Sequence, residues 1–166
     1  MLNDSQRQFL DRAAAGATLA RHPFPRMAAC EAALESTFGH SQLAREDNNL
    51  FGMKQHAHPL FDTINLPTHE FEKGEWVLVE AGFVKYPSWS DCFADRLATL
   101  ERLSNLYDPT AMRFLYPHYR AALLAATDAQ TFVVEVSKTW STDPKRAAKV
   151  LAIYQQYAVP PVAPPS

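Results

Sequence analysis

The 166-residue chain is 47% hydrophobic and 20% charged, and 16 lysines and arginines against 18 aspartates and glutamates give a formal charge of -2. That mix excludes a disordered tail, a collagen-like fibre and a disulfide-scaffolded miniprotein, and it offers a polyanion such as nucleic acid no electrostatic footprint. A chain of this length should bury about 70% of its unfolded surface in one core without a metal or disulfide staple.

Taken in chain order, residues 5–20 place Phe9, Leu10, Ala13, Ala14, Ala17 and Leu19 at three- and four-residue spacings, which predicts an amphipathic helix capped by Asp4 or Ser5. Pro25 is placed to open a second helix over residues 25–38, which Gly39 ends. Its small residues, Ala28, Ala29, Cys30, Ala32 and Ala33, allow close approach by neighbours and mark it as the central, buried helix. Residues 46–54 carry turn formers around an apolar pair and predict a structured loop. Residues 61–71 and 76–86, rich in Thr, Ile, Phe, Trp and Val, predict a β-hairpin turning at Lys73-Gly74. Helical spacing returns after Ser88 or Ser90, after Pro117 to about residue 126, after Asp128 to residue 138, and from Thr142-Asp143-Pro144 through residue 156.

The expectation is one mainly helical α+β domain over residues 1–158 with a small β-lobe, followed by a proline-rich tail at 159–166. Apolar stretches fall short of the roughly 20 residues of a membrane helix, so no membrane insertion is expected. The first residues include an acid and lack the basic region and apolar run of a secretory signal, so the chain is expected in the cytoplasm until exported or released. Cys30 and Cys92 fall in apolar helical patterns and are expected as buried thiols.

Glu35 is the first residue with a chemical reading. It lies in the last turn of a mostly apolar helix, where the helix dipole and the neighbours Leu34 and Phe38 both disfavour a carboxylate. Such surroundings suit a carboxylic acid that must stay protonated to donate to a leaving oxygen. Along the hairpin, Glu70 and Glu72 share a strand face by alternation and could oppose Glu35 across a cleft. His56, His58, His69 and Asp62 include a His-x-His pair, but no full tetrahedral set is visible, so neither a metal nor another cofactor is expected.

The stretch Ala32-Ala33-Leu34-Glu35-Ser36-Thr37-Phe38-Gly39-His40-Ser41, followed by Asn48-Asn49-Leu50-Phe51-Gly52, resembles the signature of the bacterial glucosaminidase family, glycoside hydrolase family 73. That family's motif commonly has tryptophan where Phe38 stands. The resemblance continues through Thr68-His69-Glu70-Phe71, similar to the family's hairpin motif, through Phe83-Val84-Lys85-Tyr86-Pro87-Ser88, and through Trp140-Ser141-Thr142-Asp143-Pro144. In the last of these Trp140 replaces the motif's first tyrosine and Arg146 aligns near its second.

The resemblance implies a lysozyme-like α+β fold, mainly helical, whose β-hairpin lobe flanks an active-site cleft. It implies cleavage of the β-1,4 bond after N-acetylglucosamine in peptidoglycan glycan strands by an endo-β-N-acetylglucosaminidase, with Glu35 as general acid and Glu70 as second carboxylate. Candidate substrate contacts are Asn49, Phe51, Tyr86, Ser88 and Trp140, the protein acting as a monomer without nucleic acid. An N-acetylmuramidase, a lytic transglycosylase, or a non-catalytic peptidoglycan-binding or scaffold domain are the rival readings. Inversion, retention and substrate assistance stay open, since they depend on a carboxylate separation that sequence does not give.

Overall fold

In the computed structural model, residues 1–56, 60–72 and 74–159 are described, without the side chains of residues 69–72. Nearly all of the expected proline-rich tail, like His58, lies outside the described residues.

Helix α1 (Asp4–Leu19) begins earlier than expected because Asn3 is the cap: its Oδ1 accepts from the Gln6 N–H at 2.9 Å, and Gln6 Oε1 accepts from the Asn3 N–H at 3.0 Å. This reciprocal box satisfies two donors that the helix start leaves without partners. Helix α2 (Pro25–Ser36) has Pro25 in its first turn and ends two residues before the expected boundary. Thr37, Phe38 and Gly39 all adopt positive φ, at 52°, 53° and 81°, and turn the chain away. Glycine is needed at position 39 for its backbone angle and because a Cβ there would lie 2.9 Å from the Phe9 ring.

Part of the expected loop is helix α3 (Gln42–Asp47), capped by Ser41 and closed by Asn48 in the left-handed conformation. One and a half turns are too short for apolar periodicity to betray. Strands β1 (Thr63–Glu72) and β2 (Glu75–Val84) form the expected antiparallel hairpin, in register from Thr63 with Val84 to Glu72 with Glu75. Helix α4 (Trp89–Ser104) takes Ser88 as its cap. A second hairpin, β3 (Tyr107–Asp108) and β4 (Arg113–Phe114), is too short for strand alternation to reveal. Helices α5 (Pro117–Leu124), α6 (Ala129–Trp140) and α7 (Arg146–Ala158) complete the chain. The last starts later than expected, because Thr142-Asp143-Pro144 forms a turn in which Asp143 accepts from the Lys145 N–H before the helix begins.

Helix α2 is the central element, with α1 and α7 packed against it and every residue from Met27 to Ala33 buried. Leu10, Met27, Leu50, Phe93 and Val150 are fully or almost fully buried in this core; burial of such side chains contributes about 1.5–3 kcal/mol each. A second cluster, Leu100, Tyr119, Ala122, Phe132 and Val136, joins α4, α5 and α6. Cys30 and Cys92 are both free and buried, and burial pushes each thiol up to about 12. Among the described residues no helix is long and apolar enough to cross a membrane.

The base of the hairpin is tied to the helical body through residues 47–55. Asn49 Nδ2 donates to the Met53 carbonyl at 3.0 Å and to the Val84 carbonyl at 2.9 Å, while its Oδ1 accepts from the Met53 N–H at 2.8 Å. Val84 N–H donates to Met53, Gln55 N–H to Gly82, and Tyr86 N–H to Asp47. Backbone polar groups that the loop would otherwise strand in the interior are thereby paired.

Candidate active site

Helix α2 carries Glu31 and Glu35 one turn apart on the same face, an arrangement in which two carboxylates repel unless a cation lies between them. Arg146, in the first turn of α7, is that cation. Its Nε donates to Glu35 Oε1 at 2.8 Å, its Nη2 to Glu31 Oε1 at 3.0 Å and its Nη1 to Ser137 Oγ at 2.8 Å. On the far side of Glu31, Arg96 from α4 supplies a bidentate pair. Two carboxylates and two guanidiniums therefore form one charge-balanced chain running from the buried core to Glu35, whose side chain is 26% exposed.

Burial is the largest single influence on Glu31 and would raise its pKa, but Arg96 and Arg146 together outweigh it and hold the carboxyl below its usual range. Arg146 is held above its ordinary value: burial opposes its charge, and Glu31 and Glu35 more than compensate. The sequence reading gave Glu35 an apolar surround and a helix C-terminus; the structure adds a guanidinium bonded to one of its oxygens. Among the described residues Glu35 Oε2 has no hydrogen-bond partner.

The backbone of Glu70 lies in β1 in register with Val77, and its side chain is outside the described residues, as are those of His69 and Glu72. The residues expected to contact a substrate are placed variously. Asn49 is buried, and its side-chain amide is hydrogen-bonded to the backbone of the loop and of β2. Phe51 is buried too, packed edge-on against Phe93 and Trp140 beneath the Arg96 guanidinium. Tyr86 is also buried; its hydroxyl donates to Asp95 Oδ2 at 2.5 Å, and burial together with that bond raises its pKa.

Ser88 is half-buried, and its Oγ caps α4 by accepting from the Asp91 N–H and also donates to the Asp91 carboxylate. Trp140 is half-buried, with Arg96 over its ring at 4.6 Å. It lines a groove of about 870 Å³ at the α6–α7 corner with Ser137, Thr142, Asp143 and Pro144. Among the described residues no group of three or more His, Cys, Asp or Glu is placed to hold a metal.

Sequence reasoning passed over Glu31 and Arg96 and saw in Arg146 only a departure from the motif's second tyrosine. Two signals were available. Glu31 stands in the middle of a helix otherwise built for burial, and Arg96 interrupts the apolar stripe of Cys92, Phe93 and Leu100 on α4. A charge on a buried face needs a partner of opposite sign, and these two supply one another.

Residues 13–159 match the model of the glucosaminidase family, described as mannosyl-glycoprotein endo-beta-N-acetylglucosaminidase. The chain is 33% identical over 130 residues to the peptidoglycan hydrolase FlgJ of Salmonella typhimurium, covering 76% of this chain and 37% of that protein. It is 27% identical over 157 residues to the exo-glucosaminidase LytG of Bacillus subtilis, covering 93% of this chain and 52% of that protein. The chain thus spans between about a third and a half of these relatives' own length. A solved, C-terminally truncated glycoside hydrolase domain of Salmonella typhimurium FlgJ superposes with a TM-score of 0.65 at 30% identity, covering 91% of this chain and 96% of that chain. The mainly helical α+β architecture is the lysozyme-like fold expected from the sequence.

Proposed function

We propose, for a chain that belongs to the glucosaminidase family over residues 13–159, hydrolysis of the β-1,4 bond after N-acetylglucosamine within peptidoglycan glycan strands. Glu35 is the general acid in this reading. The observation that carries it is the placement of Glu35: it is the partly exposed end of a buried charge chain, fixed through Oε1, with no partner for Oε2 among the described residues. An oxygen so presented can hold a proton and pass it to the leaving glycosidic oxygen. Glu70, in register with Val77 on β2, is the second carboxylate, activating water or countering positive charge on the sugar from the hairpin side. Trp140, half-buried at a groove, is the remaining aromatic platform among the candidates.

The test is mass spectrometry of borohydride-reduced fragments from purified peptidoglycan treated with the wild-type protein and with Glu35→Gln. New reduced N-acetylglucosamine ends, internal to the strands and missing with the variant, are the expected result. Release only from strand termini would instead indicate an exo-acting enzyme, which is how the Bacillus subtilis relative is described. Reduced muramic acid or anhydromuramic ends would mean a muramidase or a transglycosylase. No new ends from a protein that still pellets with the wall would mean a binding module.

A further inference from the structure

Glu31 and Arg96 already pair through two parallel hydrogen bonds, so the carboxylate whose charge Arg146 balances is Glu35. Arg146 is buried, and its three nitrogens go to three different acceptors: Ser137 on α6, Glu31 on α2 and Glu35 on α2. The planar guanidinium is fixed through Nη1 and Nη2 before it reaches Glu35, which leaves its single Nε–H one direction. Glu35 sits in the final turn of its helix, with only Ser36 between it and the three left-handed residues Thr37, Phe38 and Gly39, and the one hydrogen bond its side chain makes among the described residues is to Arg146.

We propose that Arg146 is a positioning residue for the reaction: anchored on Ser137 and Glu31, it fixes Oε1 of Glu35 and thereby presents Oε2 to the scissile oxygen. The inference rests on the assignment of Glu35 as general acid. Arg146 itself touches neither substrate nor the proton in flight; it decides which carboxyl oxygen carries that proton and where it points. Loss of this restraint leaves binding alone and lowers the fraction of bound complexes in which the acid is aligned, so it acts on kcat and not on KM.

The experiment compares wild type, Arg146→Met, Arg146→Lys and Glu35→Gln, in the full chain, on soluble peptidoglycan glycan fragments, with thermal unfolding of each protein. Methionine keeps the length and apolar stem while leaving the Glu31–Arg96 pair intact. It is expected to lower kcat by about 10- to 100-fold with KM within about twofold. Lysine restores the charge but cannot span three acceptors at once, so it is expected to recover the unfolding midpoint without recovering kcat.

A methionine variant with kcat within about twofold of wild type, beside an inactive Glu35→Gln, would overturn the inference and leave the general acid standing. Parallel recovery of midpoint and kcat in the lysine variant would also overturn it, by reducing Arg146 to a structural cation; that arm decides the question even where the methionine variant fails to fold. Turnover retained by Glu35→Gln would remove the assignment of the acid itself, and the inference with it.

Discussion

Glu31 and Arg96 are joined by two parallel hydrogen bonds, Nη1 to Oε2 at 3.1 Å and Nη2 to Oε1 at 2.7 Å, with both side chains essentially closed to solvent. Removing one member of a buried pair strands the other's charge in the interior. Arg96→Met is therefore expected to cost about 3–5 kcal/mol in urea unfolding, and Glu31→Met with Arg96→Met together less than the sum of the two single changes.

His22 is buried beside this pair, its ring edge-on to Phe132 and its Nδ1 accepting from the Phe24 N–H at 3.0 Å. Burial first, and the positive charge of Arg96 second, lower its pKa to about 4. Because the folded form disfavours the proton, its contribution to stability is fully present above about pH 6.5 and is lost as pH falls from there through 4. Wild type is expected to lose about 3 kcal/mol across that window, and His22→Asn, which keeps an acceptor near Nδ1, to flatten the loss. Glu31, held below the usual carboxylate range, contributes stability above about pH 4.5, and that contribution is lost at still lower pH. The two groups thus separate along a pH series of unfolding curves.

Tyr86→Phe removes the hydroxyl bonded to Asp95 without touching an exposed surface. The expected outcome is a stability loss of about 1–3 kcal/mol with KM unchanged. A raised KM would mean that the hydroxyl bears on substrate binding.

On the hairpin, Glu70→Gln is expected to lower kcat by about 10-fold or more, while Glu72→Gln, two residues nearer the turn and in register with Glu75, stays within about threefold of wild type. Kinetics on soluble glycan fragments check the order, and the reverse order would move the second carboxylate to Glu72.

The helices with long apolar stripes and polar or proline caps were legible in the sequence, and so was the hairpin, because alternation and Lys73-Gly74 point the same way. Errors gathered where local rules compete. Asn3 took the α1 cap from Asp4 and Ser5, closing its box with Gln6, although Ser5 and Gln8 offer the same spacing. The 25–38 helix stopped at Ser36 because three left-handed residues follow it. At the site, motif order singled out Glu35 and Glu70 as candidates and motif membership added Asn49, Phe51 and Tyr86, which the structure buries. Those residues hold the loop and the core, and a one-dimensional pattern does not distinguish a residue that touches a ligand from one that shapes the wall behind it. The charge chain was missed because its members come from α2, α4 and α7, so no window of sequence contains it.

The Glu35–Arg146 bond closes a loop of 111 positions. During synthesis the helix bearing Glu35 emerges early, yet Arg146 leaves the ribosome only after α1 to α6 have been made. A nascent chain halted anywhere before that residue has the carboxylate without the guanidinium that orients it. The Glu35–Arg146 contact therefore forms only once translation of residues 13–159 is nearly complete.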